Sequence, residues 1–419
     1  MRILVLGRGG REHAIVWKVS RSPLVKKIYC ATGNSGIAEL AELVDIKAED
    51  INGLLKFAEQ KKIDLTLVGP EVSLTEGIVD LFHEHGLKIL GPTKNVARLE
   101  GSKAFAKRLM MKYDIPTARF GAFSDEQEAF KYIEKVGAPL VVRADGLSAG
   151  KGIIIAKDEI TAKLAVNVMI KDRIFGDAGR TVVLEEYLMG QEISCFLFIH
   201  KNKVLSFTTC EDYKRAYDGN RGPNTGGMGA FSPSNKVDAA LEKKIEKEIF
   251  KPVITAMKKE GMEYSGVMFV SLILSEDGTP KVTEFNLRFN DPLTQVVLPR
   301  LNADLVEVVL GILNDDTKKL KIEWDKRSCL NVVGVSEGYP LKYSTGHVIT
   351  GLDKVSCSPD LHLFHAGTKN HNGNLVTGGG RVFDITSIGK SIEEARKKVY
   401  EEIKKVCYSG IHYRKDIGI

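Results

Sequence analysis

The sequence predicts an α/β protein with an N-terminal doubly wound parallel sheet, a central α+β domain with a hairpin flap, and a small C-terminal α+β domain. Three observations predict it. Apolar strand-like runs alternate with helical segments over the first hundred residues, which is typical of a parallel sheet. Glycine-rich turns follow these early strands, so they should gather at the carboxyl edge, where such folds bind ligands. After residue 101 the predicted strands are separated by short turns, as in hairpins, and a long glycine-rich loop covers 210–232.

The N-terminal elements are predicted from short buried runs and their turns. Strands are expected over 3–6, 27–30, 65–68 and 88–90, and helices up to about residue 20, over 51–60 and over 76–85. In the central part, strands are expected over 140–142, 153–156, 181–184 and 266–274, a hairpin over 194–199 and 203–208, and helices over 102–112, 160–170 and 239–260. The final module should end in a helix over 392–407. The expected domains are 1–102, 103–315 with a flap subdomain at about 117–190, and 316–419.

Bulk composition limits the class of protein. A chain of 419 residues suggests two to four domains. A net charge of +6 fits small anionic substrates and is too diffuse to argue for nucleic acid. The six cysteines form no CxxC pair, which argues against a zinc or redox site and favours a reduced, cytoplasmic protein. The first residues predict a strand rather than a signal peptide, and no apolar run reaches membrane-spanning length. A monomer without membrane or nucleic-acid partners is expected.

The turn Gly7-Arg-Gly-Gly10 suggests a dinucleotide fingerprint at first sight. That interpretation fails because the third glycine would fall at Glu12 and the second strand ends without an acidic residue. What remains is a glycine turn that leads into a helix, with Arg11 nearby, which suits a single phosphate. A tight turn without a ligand is the alternative.

Lys281–Pro292 is the most informative stretch of the sequence. On a strand, Glu284, Asn286 and Arg288 would point to one face. A carboxylate beside an amide oxygen suits Mg²⁺ when nucleotide phosphates and waters complete the coordination, and Arg288 can hold a second anion. The alternative is the solvated face of an amphipathic edge strand.

Two segments of the central part suit a nucleotide. Gly146–Gly152 lies between two strands and lacks Walker A spacing, so it is expected to be a hairpin flap whose amides and Lys151 close over a triphosphate. Glu185-Glu-Tyr-Leu188 directly follows a predicted strand, where backbone groups can recognise adenine and a carboxylate the ribose.

The loop Arg221–Ala230 can approach an anion through its glycines around Pro223. Upstream, Asp212, Lys214 and Arg215 can hold a small zwitterion. A plain Ω-loop and a solvated charge cluster are the alternatives. The histidines lack ligand or triad spacing, and nothing supports a nucleophilic serine or cysteine.

Taken together, these segments resemble the glycinamide ribonucleotide synthetase family of ATP-grasp ligases. The resemblance covers essentially the whole chain, in order: GRGGREHA, ATGNSG, LVGPE, GPT, LEGSKAFAK, RADGLSAGKG, FGDAG, LEEYLMGQE, EDYKR, GPNTGGMGA and EFNLRFNDPLTQ. It implies ligation of glycine to 5-phosphoribosylamine with ATP through glycyl phosphate, in de novo purine biosynthesis, with Mg²⁺ or Mn²⁺ on Glu284 and Asn286.

The resemblance also implies which residues surround each substrate. The implied ATP-binding residues are Lys103, Arg143, Lys151, Glu185, Glu186, Leu188 and Glu192. The implied substrate-binding residues are Gly9, Gly10, Asn34, Gly69, Pro70, Glu71, Asp212, Lys214, Pro223, Asn224, Thr225, Gly226, Gly227 and Arg288. Lys151, Arg288 and Asp291 are the expected catalytic residues, acting by positioning and charge stabilisation.

The sequence departs from the family pattern at several positions. Arg143 replaces a lysine, Tyr213 stands in a motif that usually contains histidine, and Asn290 and Leu293 replace a glycine and a glutamate. The change at 293 is expected to remove a polar contact on the substrate side. Two alternatives stay open: an ATP-grasp ligase with other substrates, and a nucleotide-binding protein that has lost turnover. A dehydrogenase is disfavoured by the failed fingerprint.

Overall fold

The computed structural model describes residues 1–148 and 152–419. Its first hundred residues form a five-stranded parallel sheet, which confirms the predicted fold class for this part. The strand order is β3-β2-β1-β4-β5. The strands are β1 (Arg2–Gly7), β2 (Lys27–Thr32), β3 (Glu42–Val44), β4 (Leu65–Val68) and β5 (Ile89–Leu90). The helices are α1 (Gly10–Ser20), α2 (Ile51–Lys61), α3 (Glu71–Glu76), α4 (Ile78–Glu84) and α5 (Lys94–Gly101).

Two helices of this part differ from the sequence prediction. Helix α3 was not predicted; it ends at Gly77, which has φ +94°, a conformation that glycine adopts without steric strain, and α4 after it matches the helix expected over 76–85 to within two residues. Helix α5 was missed. Its buried residues Val96, Ala97 and Leu99 face the core on one side of a short helix.

The segment of residues 103–186 contains a four-stranded antiparallel sheet of order β6-β9-β7-β8. Its strands are β6 (Phe120–Phe123), β7 (Leu140–Ala144), β8 (Ile153–Ala156) and β9 (Val182–Glu186). Its helices are α6 (Lys103–Lys112), α7 (Glu126–Val136) and α8 (Glu159–Val166), the last continuing as a π-helical turn over Asn167–Lys171. Strands β7 and β8 pair antiparallel, so the predicted hairpin is confirmed; its residues 149–151 lie outside the described part.

A nine-stranded sheet runs through the rest of the molecule. Its path is β16-β15-β10-β11-β14-β17-β21-β18, with β22 paired to β17. The strands are β10 (Gln191–His200), β11 (Lys203–Asp212), β14 (Gly229–Ser232), β15 (Gly266–Leu274), β16 (Pro280–Asn286), β17 (Ser328–Ser336), β18 (Leu361–His365), β21 (Arg381–Gly389) and β22 (Ile411–His412). Two small hairpins flank it, β12 (Arg215–Tyr217) with β13 (Arg221–Asn224) and β19 (Thr368–His371) with β20 (Asn374–Thr377). The pairing of β14 with β17 makes the central and C-terminal strands one sheet.

The remaining helices pack on this sheet. They are α9 (Ala239–Ile245), a π-helical turn over Glu246–Phe250, α10 (Lys251–Lys259), α11 (Thr294–Val297), α12 (Leu305–Leu313) and α13 (Ile392–Ile403). The first three form one continuous helical segment, close to the predicted 239–260. None of the helices in residues 1–148 and 152–419 combines the length and the apolar character needed to cross a lipid bilayer.

Candidate active site

A buried cluster of charges lies between the small sheet and the end of β16. Arg143 and Glu185 point to the same face of the small sheet, because Glu185 pairs with Val141, two residues from Arg143. The Arg143 guanidinium donates to Glu284 Oε2 over 2.8 Å and lies 3.8 Å from Glu185 Oε1. Lys103 Nζ lies 3.5 Å from the same Glu284 oxygen. The structure thus brings together four residues predicted to surround ATP and its metal.

Helix α6 places two lysines in this cluster. Ser102 caps the helix by accepting a hydrogen bond from Phe105 N (3.1 Å), and it donates to Asp145 Oδ1 (2.9 Å), which fixes α6 beside the flap hairpin. Lys103 is the first helical residue, and Lys107 lies one turn further on the same side. Because the Ser102 cap fixes where α6 begins, it also fixes the positions of Lys103 and Lys107.

Lys107 is a member of the cluster that sequence reasoning missed. Its side chain is buried, and its Nζ lies 3.1 Å from Glu185 Oε2 and donates to Thr117 Oγ1 over 2.8 Å. Burial lowers the pKa of Lys107, and the carboxylate of Glu185 opposes that shift. Its spacing of four residues from Lys103 inside the LEGSKAFAK motif was the available signal.

Glu284 and Asn286 point to one face of β16, as predicted. Their register with Ser271 and Phe269 of β15 is regular, and the intervening Phe285 is buried in the core on the opposite face. Burial alone would raise the pKa of Glu284, but the charges of Lys103, Arg143 and Lys214 outweigh it and hold that pKa well below its usual range. Glu284 is therefore ionised at physiological pH, as its predicted role as a metal ligand requires.

The donor set at β16 fits a cation that shares its coordination with phosphates. The buried side-chain nitrogen of Asn286 has no hydrogen-bond partner among the described residues. In the same part of the chain no group of three or more His, Cys, Asp or Glu side chains is arranged as a metal cage. One carboxylate and one amide carbonyl are what Mg²⁺ uses when a nucleotide supplies further oxygens.

The other residues predicted around ATP are more peripheral. Glu186 ends β9, where its Oε2 accepts from Arg119 N and Nε over 3.3 Å each. Both glutamates, 185 and 186, belong to the strand rather than following it, and Leu188 comes two residues after its end. Glu192 is the second residue of β10, and its Oε2 lies 3.1 Å from Lys214 Nζ. Lys151 lies outside the described residues.

A second charged cluster forms where β11 ends. Lys214 Nζ lies 3.1 Å from Glu192 Oε2 and 3.9 Å from Asp212 Oδ2. Burial raises the pKa of Asp212 to about 6, and Lys214 opposes that shift. Burial alone would lower the pKa of Lys214, but Asp212, Glu192 and Glu284 outweigh it and raise that pKa. Glu284 therefore interacts electrostatically with both clusters.

The glycine-rich loop after β13 uses its backbone amides within the protein. Thr225 N donates to Lys214 O (2.7 Å), Gly226 N to Tyr339 Oη (2.9 Å) and Gly227 N to Thr225 Oγ1 (2.9 Å). Gly227 has φ +113°, and a Cβ there would lie 2.3 Å from Pro292 Cδ. The glycines are thus required for close packing, and these three amides hold the loop in place rather than pointing free toward an anion. Pro223 and Asn224 lie in β13 itself.

The sequence predicts that Arg288 shares the strand face of Glu284 and Asn286. This prediction is wrong, because Arg288 lies beyond the end of β16. Its Nη2 lies 2.9 Å from Glu100 Oε1 and 3.1 Å from Glu71 Oε2. Arg288 holds the pKa of Glu71 down at about 2, against the effect of burial. The guanidinium thus joins helices α3 and α5 to the segment after β16.

Glu12 occupies the space beneath the N-terminal glycine turn. Its Oε2 accepts from Gly9 N over 2.6 Å, and its Oε1 contacts Arg11 Nε over 2.5 Å. A Cβ on Gly69 would lie 1.9 Å from the same Oε1. The residue that broke the dinucleotide fingerprint therefore satisfies the turn's first amide itself, and Gly10 begins α1 beside it.

Asn34 ties the N-terminal turn to the C-terminal strands. Its Nδ2 donates to Arg8 O (2.9 Å) and His365 O (2.7 Å), and its Oδ1 accepts from Gly36 N (3.0 Å) and Ile37 N (2.9 Å). These four hydrogen bonds use both N–H donors and both lone pairs of the Asn34 side-chain amide. Asn34 therefore shapes the site rather than offering free groups to it. Pro70 precedes α3 on the same edge of the sheet.

Asp291 belongs to a buried polar network that the sequence did not reveal. Its Oδ1 accepts from Gln295 Nε2 (2.8 Å) and Arg381 Nη1 (3.0 Å). Gln295 Nε2 also lies 3.3 Å from Asp384 Oδ1, to which Asn331 Nδ2 donates over 3.0 Å. Burial and the neighbouring Asp291 charge raise the pKa of Asp384 to about 7. Two carboxylates thus share one amide beside the glycine turn.

Replacing Asp384 by asparagine should stabilise the protein at pH 8 more than at pH 5. Because the folded-state pKa of Asp384 is raised, the protonated side chain stabilises the folded protein. This contribution to the free energy of unfolding is fully present below the unfolded-state pKa of the carboxyl group and is lost as the pH rises towards 7. We expect the gain in the free energy of unfolding to be about 2 kcal/mol larger at pH 8 than at pH 5. Urea midpoints at both pH values measure it. Asp353→Asn, at an exposed carboxylate, is the control, and an equal gain at both pH values would contradict the explanation.

Two departures from the family pattern have structural explanations. Leu293 is fully buried and packs with Phe289, Val296 and Val297, so this side chain fills the core, and the expected loss of a polar contact on the substrate side stays a prediction. Asn290 shapes the turn, because its Oδ1 accepts from Asp291 N over 2.9 Å.

Comparisons with known proteins cover the whole length of the chain. The phosphoribosylglycinamide synthetase family models match as N domain over residues 1–100, ATP-grasp (A) domain over 101–294 and C domain over 329–419. A phosphoribosylamine–glycine ligase of Caldanaerobacter subterraneus subsp. tengcongensis is 49% identical over 418 residues, covering 100% of this chain and 99% of that protein. The Halalkalibacterium halodurans ligase of the same name is 45% identical, with coverage of 100% and 96%.

Solved structures give the same picture. The crystal structure of phosphoribosylamine–glycine ligase from Thermotoga maritima has a TM-score of 0.85 and 33% identity and covers 100% of both chains. A biotin carboxylase domain from Hydrogenobacter thermophilus, in complex with MgADP, ADP and bicarbonate, has a TM-score of 0.75 at 18% identity, with coverage of 98% and 91%. The latter likeness supports the fold alone.

Proposed function

Because the chain belongs to the phosphoribosylglycinamide synthetase family, we propose that its two charged clusters serve the two halves of one ligation. The enzyme joins glycine to 5-phosphoribosylamine at the expense of ATP, giving glycinamide ribonucleotide, ADP and phosphate, a step of purine biosynthesis. The observation that carries the assignment of roles is the position of Glu284, which pairs with Arg143 and also interacts with Lys214. Nucleotide and amino-acid substrate would therefore meet at one carboxylate.

On the nucleotide side, cations face the phosphates and the β9 segment faces the nucleoside. Lys103, Arg143 and Lys151 bind the phosphates in this proposal, with Lys151 carried by the flap loop. Glu185, Glu186, Leu188 and Glu192 line the adenosine side. A Mg²⁺ or Mn²⁺ ion on Glu284 and Asn286 would neutralise phosphate charge and orient the γ-phosphoryl group. When the nucleotide binds, Arg143 has to exchange part of its contact with Glu284 for phosphate oxygens.

On the acceptor side, the cluster at the end of β11 suits a zwitterion. The Lys214 ammonium binds the glycine carboxylate, and the Asp212 carboxylate, mostly ionised above pH 6, binds the glycine ammonium. Thr225, Gly226 and Gly227 hold Lys214 in place through its carbonyl and through the β12–β13 hairpin that ends in Pro223 and Asn224.

The phosphoribosylamine is assigned to the edge of the N-terminal sheet. Gly9 and Gly10 open α1 there, and Gly69 with Pro70 lies across the Glu12 carboxylate from them. Asn34 and Glu71 fix the surrounding backbone through their own contacts. The helix N-terminus of α1 favours the phosphate of this substrate.

The reaction follows from these placements in two displacements. A glycine carboxylate oxygen attacks the γ-phosphorus, ADP leaves, and glycyl phosphate forms. The amine of phosphoribosylamine then attacks the glycyl carbon, phosphate leaves, and the amine loses a proton. Arg288 acts in this proposal by holding Glu71 and the segment after β16, and Asp291 by facing the Gly9 turn, where its Oδ2 lies 3.2 Å from the position of a Cβ. Exclusion of water by the flap would protect the acyl phosphate.

A cytoplasmic monomer is the proposed form of the enzyme. All six cysteines are free, and four of them are buried, which is typical of a protein from a reducing compartment. The substrates are small molecules, and the +6 net charge is spread over 60 basic and 54 acidic side chains, which fits anionic ligands and argues against a nucleic-acid surface.

Release of ADP should depend on glycine and phosphoribosylamine together. The test follows ADP with each substrate omitted in turn, and with alanine, serine and other primary amines replacing the natural pair. Ligation of a different carboxylate and amine at higher kcat/KM would assign another ATP-grasp ligase activity. Tight ATP binding without ADP release under saturating substrates would identify a nucleotide-binding protein without turnover.

A further inference from the structure

The last strand and the residues after it pack against residues 213–220, the stretch that begins between Asp212 and Lys214 of the proposed glycine site and continues through β12 into the turn of the β12–β13 hairpin. Residues 412–418 make six hydrogen bonds to residues 213–220. They pair His412 with Ala216 O, Arg414 with Arg215 O and with Asn220 Oδ1, Lys415 N with Asp218 Oδ1, Gly219 N with Asp416 Oδ2, and Gly418 N with Tyr213 Oη. The contacts run from Tyr213 through β12 to the turn at Asn220.

Arg414 is the centre of this contact and is fully buried. Its Nε and Nη2 donate to the two carboxylate oxygens of Asp416 over 2.8 and 2.7 Å. Its Nη1 donates to Arg215 O (3.1 Å) and Asn220 Oδ1 (2.9 Å). The guanidinium carbon lies 4.8 Å from the centre of the Tyr213 ring. A planar guanidinium that forms a two-pronged pair and also stacks on a ring has a fixed position.

Tyr213 contacts the C-terminal part of the protein, whereas its two neighbours in the chain form the proposed glycine site. Residues 212 and 214, which flank it in the chain, form the zwitterion cluster, whereas the Tyr213 ring packs with the C-terminal core and its hydroxyl accepts from Gly418 N over 2.9 Å. This position is where the sequence departs from the family's usual histidine. The departure therefore lies on the side that faces residues 412–418, away from the proposed substrate contacts.

We infer that residues 411–419 are a positioning element for the glycine site, in which Arg414 and Tyr213 set the affinity for glycine without touching it. The inference rests on the proposed function of Asp212 and Lys214. Those two side chains project from a short segment whose other face is held by Arg414 and Tyr213. A shift of about 1 Å in a positioning segment can cost on the order of 100-fold in rate.

Arg414→Met should raise the KM for glycine about 10- to 100-fold and leave the KM for ATP within about twofold. Tyr213→Phe keeps the ring and removes only the acceptor of Gly418 N, so we expect a rise of about threefold. Arg414→Lys, which keeps the charge without the two-pronged pair, should fall between parent and Arg414→Met. The control is Arg327→Met, because the half-exposed Arg327 also makes a two-pronged pair with an aspartate two residues away, Asp325, and it makes no hydrogen bond to residues 213–220 among the described residues.

A second readout does not depend on catalysis. Trypsin cleavage after Arg221, at the hairpin, should be faster in Arg414→Met than in the parent protein and unchanged in Arg327→Met. Faster cleavage with a selective rise in glycine KM supports the inference. Unchanged cleavage, an unchanged glycine KM, or equal rises for glycine and ATP overturn it. If Arg414→Met does not fold, Tyr213→Phe decides by the same criteria. If the parent protein releases no ADP with glycine and phosphoribosylamine, the proposed function fails, and the cleavage rates alone decide whether the segment positions the hairpin.

Discussion

Replacing Glu284 by glutamine should reduce Mg²⁺-dependent ligation by about 10³-fold or more and leave the fold intact. The amide is nearly isosteric and can still accept from Arg143, so the local geometry should persist. It loses the negative charge that Lys103, Arg143 and Lys214 keep ionised in the folded protein. The cation would then have only neutral protein oxygens. ADP release measured over a Mg²⁺ titration, with Mn²⁺ binding followed by electron paramagnetic resonance, tests the role directly.

Glu276→Gln is the matched control for this prediction. Glu276 lies in the turn that joins β15 and β16, so it belongs to the same hairpin but is exposed at the opposite end. The control should bind Mn²⁺ and turn over as the parent does, with the same melting temperature. Parent-like turnover and Mn²⁺ affinity in Glu284→Gln would remove the metal role from β16.

Replacing Arg288 by methionine should lower the free energy of unfolding by about 3–5 kcal/mol. The change removes the shared partner of Glu71 and Glu100 and leaves two carboxylates close together in a site with little access to water. Burial already raises the pKa of Glu100, with Arg288 opposing the shift, so the variant should take up a proton there. The loss should therefore be larger at pH 8 than at pH 5. Urea midpoints at the two pH values measure both effects.

A second change separates an unpaired charge from a lost contact. Glu100→Gln in the Arg288→Met background removes one of the uncompensated carboxylates, so it should recover part of the stability, most clearly at pH 8. Arg119→Met is the control, since Arg119 is largely exposed and pairs with Glu186 at the surface; it should cost less than about 1 kcal/mol. A similar loss in both single variants would contradict the explanation.

Local patterns in the sequence were sufficient where one strand or one helix decides the outcome. Strands β4, β8 and β15 have the predicted bounds, and Glu284 and Asn286 share a face because a strand alternates. Where partners come from distant parts of the chain, the sequence was insufficient. The position of Arg288 is decided by Glu71 and Glu100, and no local spacing indicates that pairing.

Partners from distant parts of the chain also decide the roles of the glycine-rich loop, of Leu293 and of Lys107. Four glycines around Pro223 suggest a backbone that is free for an anion, but Tyr339 and Lys214 take up amides there. From the sequence alone, Leu293 is interpreted as the loss of a carboxylate. Only the structure shows that its side chain packs in the core. Lys107 was within a motif used for the resemblance, yet only the distance to Glu185 gives it a role.

The continuous nine-stranded sheet means that this protein cannot be cut cleanly between its central and C-terminal parts. Strands β14 and β17 are direct neighbours, so a fragment on either side of residue 316 would expose an open row of backbone donors and acceptors. Each fragment alone would tend to aggregate through that edge. Together, each edge is the natural binding partner of the other, which makes the molecule a candidate for splitting into two chains whose reassembly restores the active site.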